Sequence, residues 1–163
     1  RQIFELGSFG GTYWRPITSK IARRKFKNRH LKYPKSWWEN IANKDMLTSP
    51  WDSYDTTINK YGVRVGTTLE FWENKDWIIK EQPYGWVEWY CDFYMGYRSE
   101  DDERQIKRWR GISSENGRFR NWLITLIKKH NGKYNDMTIS PKIRQTLQHW
   151  GYQITKRDFN KKK

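Results

Sequence analysis

The sequence predicts a mainly α-helical, compact single domain with a minor β element and an aromatic-rich core. Two observations carry that expectation. The chain has 163 residues, the size of one domain, and only 36% of them are apolar, yet it holds 11 Trp, 10 Tyr and 7 Phe. Each ring removes roughly 150–250 Å² from water when buried, so a few large side chains replace many aliphatic ones. Most segments between turn signals also place their apolar residues three and four apart, the period of a helix. The domain is expected over 1–158, with 1–35 able to act as a basic arm and 159–163 as a disordered lysine tail.

Taken in order, LGSFGGTYW at Leu6–Trp14 reads as a glycine loop flanked by strand-like aromatics. IARRKFKNRH at Ile21–His30 reads as a short helix or as an arm that orders on a polyanion. Ser36 and Glu39 form a capping box for a short helix through Trp37, Trp38 and Ile41. Asn43–Gly66 is rich in turn residues, with a short strand expected near Tyr61–Val65. Thr67 and Glu70 cap the next helix, and Leu69 and Trp72 line one side of it. Pro83 can open a helix over Tyr84–Tyr97, where Trp86, Trp89, Tyr90, Phe93, Tyr94 and Tyr97 would share one broad aromatic face. Ser99 and Asp102 cap a short helix that Gly111 would stop. Arg118–His130 is amphipathic, with Phe119, Trp122, Leu123, Leu126 and Ile127 as its stripe and Asn131-Gly132 as its stop. Ser140-Pro141 opens the last expected helix, with Ser as cap and Pro at its first position.

Charge narrows the function classes. The net charge is +14, concentrated at the two ends: residues 1–35 hold ten Lys/Arg against one acid and residues 96–163 hold seventeen against seven, while residues 36–95 hold five against ten. Two basic ends converging on one face would steer a polyanion, although a basic surface also serves solubility alone. The first candidate face is Arg104, Lys107, Arg108 and Arg110, at helical spacing and able to clamp phosphates, against which stands pairing with Glu100, Asp101 and Glu103. Arg118 and Arg120 at a turn–helix start, and Lys142 and Arg144 after Ser140-Pro141, are the second and third. Arg23, Arg24 and Lys25 in the N-terminal basic stretch are the fourth, with Tyr13 and Trp14 able to stack bases if exposed. DNA or RNA is the expected partner, with a protein partner or self-association as alternatives.

Catalytic candidates are weak: Glu88 and Asp92, four apart on one helix, and Asp101 and Asp102, which read equally as a capped helix start. His30, His130 and His149 show no metal spacing, and Cys91 stands without the partners of a zinc site, so neither metal nor cofactor is expected. One cysteine forms no intrachain disulfide, and no 18-residue apolar run is present, so an intracellular reducing compartment is expected and no membrane partner.

PYGWVEWYCDFYMGYRSEDDERQIKRW at Pro83–Trp109, with FGGTYWRPI at Phe9, TSPWDSYDTTINKYGVRVGTTLEFW at Thr48 and SPKIRQTLQHWGY at Ser140, resembles a family of hypothetical proteins from fungi, other eukaryotes and large eukaryotic DNA viruses. The resemblance spans nearly the whole chain and implies a single domain, with a virus-associated setting among its implications; a nuclear one is expected only if the N-terminal basic stretch serves as a localisation signal. It implies no activity. Three function classes therefore stand: a nucleic-acid-binding protein contacting the phosphate backbone, an enzyme acting on nucleic acid through clustered carboxylates, and a structural or assembly protein such as a virion component.

Overall fold

The computed structural model describes residues 1–41 and 46–161. It is mainly helical with one small antiparallel sheet, as the sequence predicts. A single turn, α1 (Gln2–Glu5), leads into the glycine loop. Gly7 has φ +60, and a Cβ there would stand 2.0 Å from the Ile58 carbonyl oxygen; one on Gly10 would stand 2.5 Å from the Tyr54 ring. These glycines therefore let the loop lie against residues 54–59, where the Asp55 amide donates to Gly10 O at 3.0 Å.

The N-terminal basic stretch is neither a helix nor a free arm. Strands β1 (Ile17–Ser19) and β2 (Arg24–Phe26) pair antiparallel, Ile17 opposite Phe26, and Arg23 takes the left-handed φ of 54° that closes the turn. Burial of Ile17 and Phe26 pins the hairpin, and the buried Glu73 carboxylate accepts from Ser19 Oγ at 2.8 Å and from the Lys20 amide at 2.9 Å. A 3-10 turn over Arg29–Lys32 follows. The helix expected from Ser36 is only another such turn, Lys35–Trp37, with Pro34 rather than Ser36 at its start. The strand expected near Tyr61–Val65 is irregular backbone; part of the turn-rich stretch, residues 42–45, lies outside the described residues.

Helix α2 (Leu69–Asn74) is capped by Thr68, whose Oγ1 accepts from the Phe71 amide, while Thr67 instead accepts from Trp72 Nε1 at 2.7 Å. Gly85, at φ 80° and ψ −145°, caps α3 (Trp86–Tyr94), so Pro83 precedes the helix and does not open it. Its aromatics split between two faces: Trp86 and Trp89 turn inward with Glu88, Cys91 and Asp92, and Tyr90, Tyr94 and, just beyond the helix, Tyr97 face solvent. Helix α4 (Asp102–Ser113) runs through Gly111. In α5 (Arg118–Lys129) the buried stripe is Leu123, Ile124 and Ile127, which turns Trp122 outward. Pro141 opens α6 (Pro141–His149), but Ser140 sits at a left-handed φ of 55° and makes no cap bond. A seventh helix, α7 (Lys156–Lys161), was not expected: Thr155 Oγ1 accepts from the Asp158 amide, and the Asp158 carboxylate accepts from Thr155 in return. Residues 159–161, expected in a disordered tail, are thus helical; residues 162–163 lie outside the described residues.

Two apolar clusters hold these elements. The first is aromatic and centres on Phe4, Tyr13, Trp14, Tyr33, Tyr84, Trp86 and Trp89. The second is aliphatic and joins Leu123, Ile124 and Ile127 of α5 to Ile143 and Leu147 of α6 and to Ile154. Helix α4 packs against both α3 and α5. At the join, Trp109 Nε1 donates to Trp150 O at 3.0 Å.

Candidate functional site

A cleft of about 990 Å³ opens between the two clusters, lined from α2 and the loop after it, the start of α3, one face of α4, the start of α5 and the end of α6. That volume is at the upper end of the roughly 300–1,000 Å³ of small-molecule sites. Its walls are rings: Phe9, Phe71, Trp72, Trp77, Trp86, Phe119 and Trp150. Its cations are Lys75, Arg104, Lys107, Arg108 and Arg118, against the single carboxylate of Asp76.

The α4 face is where chemistry and geometry converge. Residues 104, 107 and 108 share one side of the helix by spacing, while Gln105 turns into the core. Arg104 is committed: it forms a two-pronged pair with Asp101, and its Nη1 donates to Asp76 O at 3.1 Å, tying α4 to the loop after α2. Arg108 differs. Its guanidinium carbon lies 5.0 Å from the Trp77 ring centre and 5.2 Å from that of Trp150. Its Nη1 donates to Gln105 Oε1 at 3.0 Å. Burial, and then the neighbouring Arg104 charge, lower its pKa to about 10, so it stays cationic at neutral pH. Ring contacts extend the array at both ends: Trp150 with Trp86 at 4.7 Å, Trp86 stacked on Tyr90 at 5.2 Å, and Trp77 edge-on to Phe71 at 5.7 Å. Lys75, Lys107 and Arg118 are exposed, and among the described residues none of the three, nor Arg108, has a salt-bridge partner.

His149 completes the lining. Its Nε2 lies 2.5 Å from Ser8 O, which only an N–H can satisfy, so Nε2 carries the proton and Nδ1 keeps its lone pair. Burial lowers its pKa to about 4, which keeps the ring neutral. Its ring packs on Phe9 with centres 4.3 Å apart.

The other expected binding residues are scattered. Arg110 and Lys142 are exposed and lie off the cleft. Arg120 pairs with Asp158 at 2.6 Å, bracing α5 against α7. Arg144 is 3% exposed and donates to Ile139 O and Tyr134 O, which makes it a strut inside the fold. Arg23, Arg24 and Lys25 are exposed on the hairpin, where Arg24 lies over Phe26. Tyr13 and Trp14, expected as stacking residues if exposed, are buried in the aromatic core.

The four carboxylates do not form an open site. Glu88, fully buried, accepts from Arg29 Nε at 2.5 Å and from the Tyr84 amide at 3.0 Å. Asp92 accepts from Lys32 Nζ, Tyr33 Oη and Gln82 Nε2. Asp101 holds Arg104 and Gln105, and Asp102 holds Trp89 Nε1 and Ser99 Oγ. Among the described residues no three His, Cys, Asp or Glu side chains gather where a metal ion could sit, and no helix is long and apolar enough to cross a membrane. Cys91 is buried, and burial pushes its thiol up to about 12, away from nucleophilic reactivity.

Sequence reasoning missed Trp77, Trp150, Lys75 and His149 as members of one site. Their partners stand far along the chain, and no local spacing marks a Trp as the platform for an arginine in another element. No family model, curated protein or solved structure matches the chain.

Proposed function

We propose that the protein binds nucleic acid, with the cationic residues of the cleft contacting phosphates. The observation that carries this reading is the concentration of Lys75, Lys107, Arg108 and Arg118, without carboxylate partners among the described residues, around one aromatic-walled opening. A basic surface serving solubility alone would spread such charges and would not gather them around one aromatic-walled cleft. Phosphates neutralise these cations and release counterions, so affinity has to fall with salt.

The test is fluorescence anisotropy of labelled oligonucleotides across about 50 to 200 mM salt. Four phosphates contacted on a single strand give a slope of log K against log salt of about −3. No binding at the lowest salt, or a slope near zero, refutes the reading. The carboxylate chemistry of a nuclease is not proposed, because Glu88, Asp92, Asp101 and Asp102 are all engaged in internal pairs.

A further inference from the structure

We infer that the cleft is a pocket for one unstacked nucleotide of a single strand: the base lies among the cleft's rings, its phosphate meets Lys107 and Arg118, and an N–H on its edge donates to His149 Nδ1. This rests on the nucleic-acid reading and deepens it. Phosphate contacts alone would need only a basic surface, and three features of the cleft go beyond that.

First, its exposed cations stand beside a lining of flat rings, the distribution that matches a flat base carried on an anionic chain. Second, Arg108 is held over Trp77 and Trp150, and a guanidinium plane among indoles is itself a stacking surface for a base. Trp77 is 39% exposed, which leaves indole surface uncovered. Third, the polar group at the α6 side is fixed in advance. His149 is oriented by Ser8 O and by Phe9, and no described residue donates to its Nδ1. An acyl chain or an aliphatic peptide side chain makes no use of such an acceptor, whereas an exocyclic amine or ring N–H of a base does. A duplex keeps its bases stacked and paired, so the occupant is a single strand.

The test uses the whole unaltered chain with three probes: a labelled single-stranded decanucleotide, the same strand with every base removed, and a free nucleoside monophosphate. Intrinsic tryptophan fluorescence is read beside anisotropy. Expected is binding of the base-bearing strand about five- to 150-fold tighter than the abasic one, the range that stacking of one base on a ring provides, with tryptophan quenching by the base-bearing strand only. Trp77→Ala, at an exposed position, should bring the two strands together in affinity. Equal affinity for both strands in the unaltered chain, with a steep salt dependence, overturns the pocket and leaves phosphate binding standing. A monophosphate bound as tightly as the strand overturns the assignment to a strand. Binding of anionic phosphatidylserine vesicles with no strand bound at low salt overturns both readings.

Discussion

Replacing Arg29 by Met should destabilise the protein in a way that depends on pH, because it strands a buried carboxylate. Glu88 has no solvent exposure, and of its two oxygens Oε1 is held by Arg29 Nε and Oε2 by the Tyr84 amide. Without Arg29 the charge is left buried on half of its hydrogen bonds, a loss of about 3–5 kcal/mol. The carboxyl has one escape, which is to take up a proton, and burial already raises its pKa against the opposing pull of Arg29. Protonating an ordinary glutamate costs about 1.4 kcal/mol per pH unit above its reference value near 4.3, hence roughly 3.7 kcal/mol at pH 7 and roughly 1 kcal/mol at pH 5. The charge-dependent loss is therefore capped at about those figures. The lost bond to Glu81 O and the lost contact with Phe26 add about 1 kcal/mol at either pH. Urea unfolding followed by tryptophan fluorescence should show Arg29→Met less stable than the parent by about 5 kcal/mol at pH 7 and about 2 kcal/mol at pH 5. Adding Glu88→Gln should remove the pH dependence of the difference. A loss below about 1 kcal/mol at pH 7, or the same loss at both pH values, would show that Arg29 and Glu88 do not form the buried pair that anchors the basic N-terminal segment.

The remaining expectations are narrower. His149 titrates near 4 in the folded chain and near 6.5 when unfolded, so the unfolded chain binds the extra proton between those values. Its contribution is complete above pH 6.5 and falls by about 3 kcal/mol as the pH drops to 4; in urea titrations His149→Phe should flatten that slope, and an unchanged slope would contradict the burial of the ring. Arg144→Ala removes a buried side chain that donates to the Ile139 and Tyr134 carbonyls and should cost about 2–4 kcal/mol in thermal unfolding. Lys142→Ala, two residues away but exposed, should stay within about 0.5 kcal/mol; equal effects would mean that Arg144 is not the internal strut its contacts indicate.

The helices were legible where the sequence carries both a period and a stop. Asn131-Gly132 ends α5 and Pro141 starts α6 close to where spacing and turn chemistry place them. Failures came where tertiary contact overrides local preference. Gly111 does not end α4, because a glycine costs a helix only about 1 kcal/mol and the residues beyond it, Ile112 and Ser113, are packed. The first part of the basic stretch, residues 21–26, became the turn and second strand of a hairpin because Ile17 and Phe26 are buried together and Glu73, from another element, satisfies the turn. The α7 start was legible and overlooked, since Thr155 and Asp158 have capping-box spacing. Of the site, Lys107, Arg108 and Arg118 were readable as helical basic residues, but charge alone does not separate them from Arg120 and Arg144. Those two are consumed by Asp158 and by the Ile139 and Tyr134 carbonyls, partners that only the fold brings within reach.

Two charge reversals of equal size test the central claim most directly. Lys107→Glu/Arg118→Glu alters the cleft, and Lys133→Glu/Lys142→Glu makes the same change in net charge at positions that do not line it. Affinity for a labelled single strand at about 100 mM salt should fall at least tenfold further in the cleft pair than in the control pair, since local phosphate contacts are lost in addition to the general field. An equal loss in the two pairs would contradict the account, leaving net charge alone to explain binding.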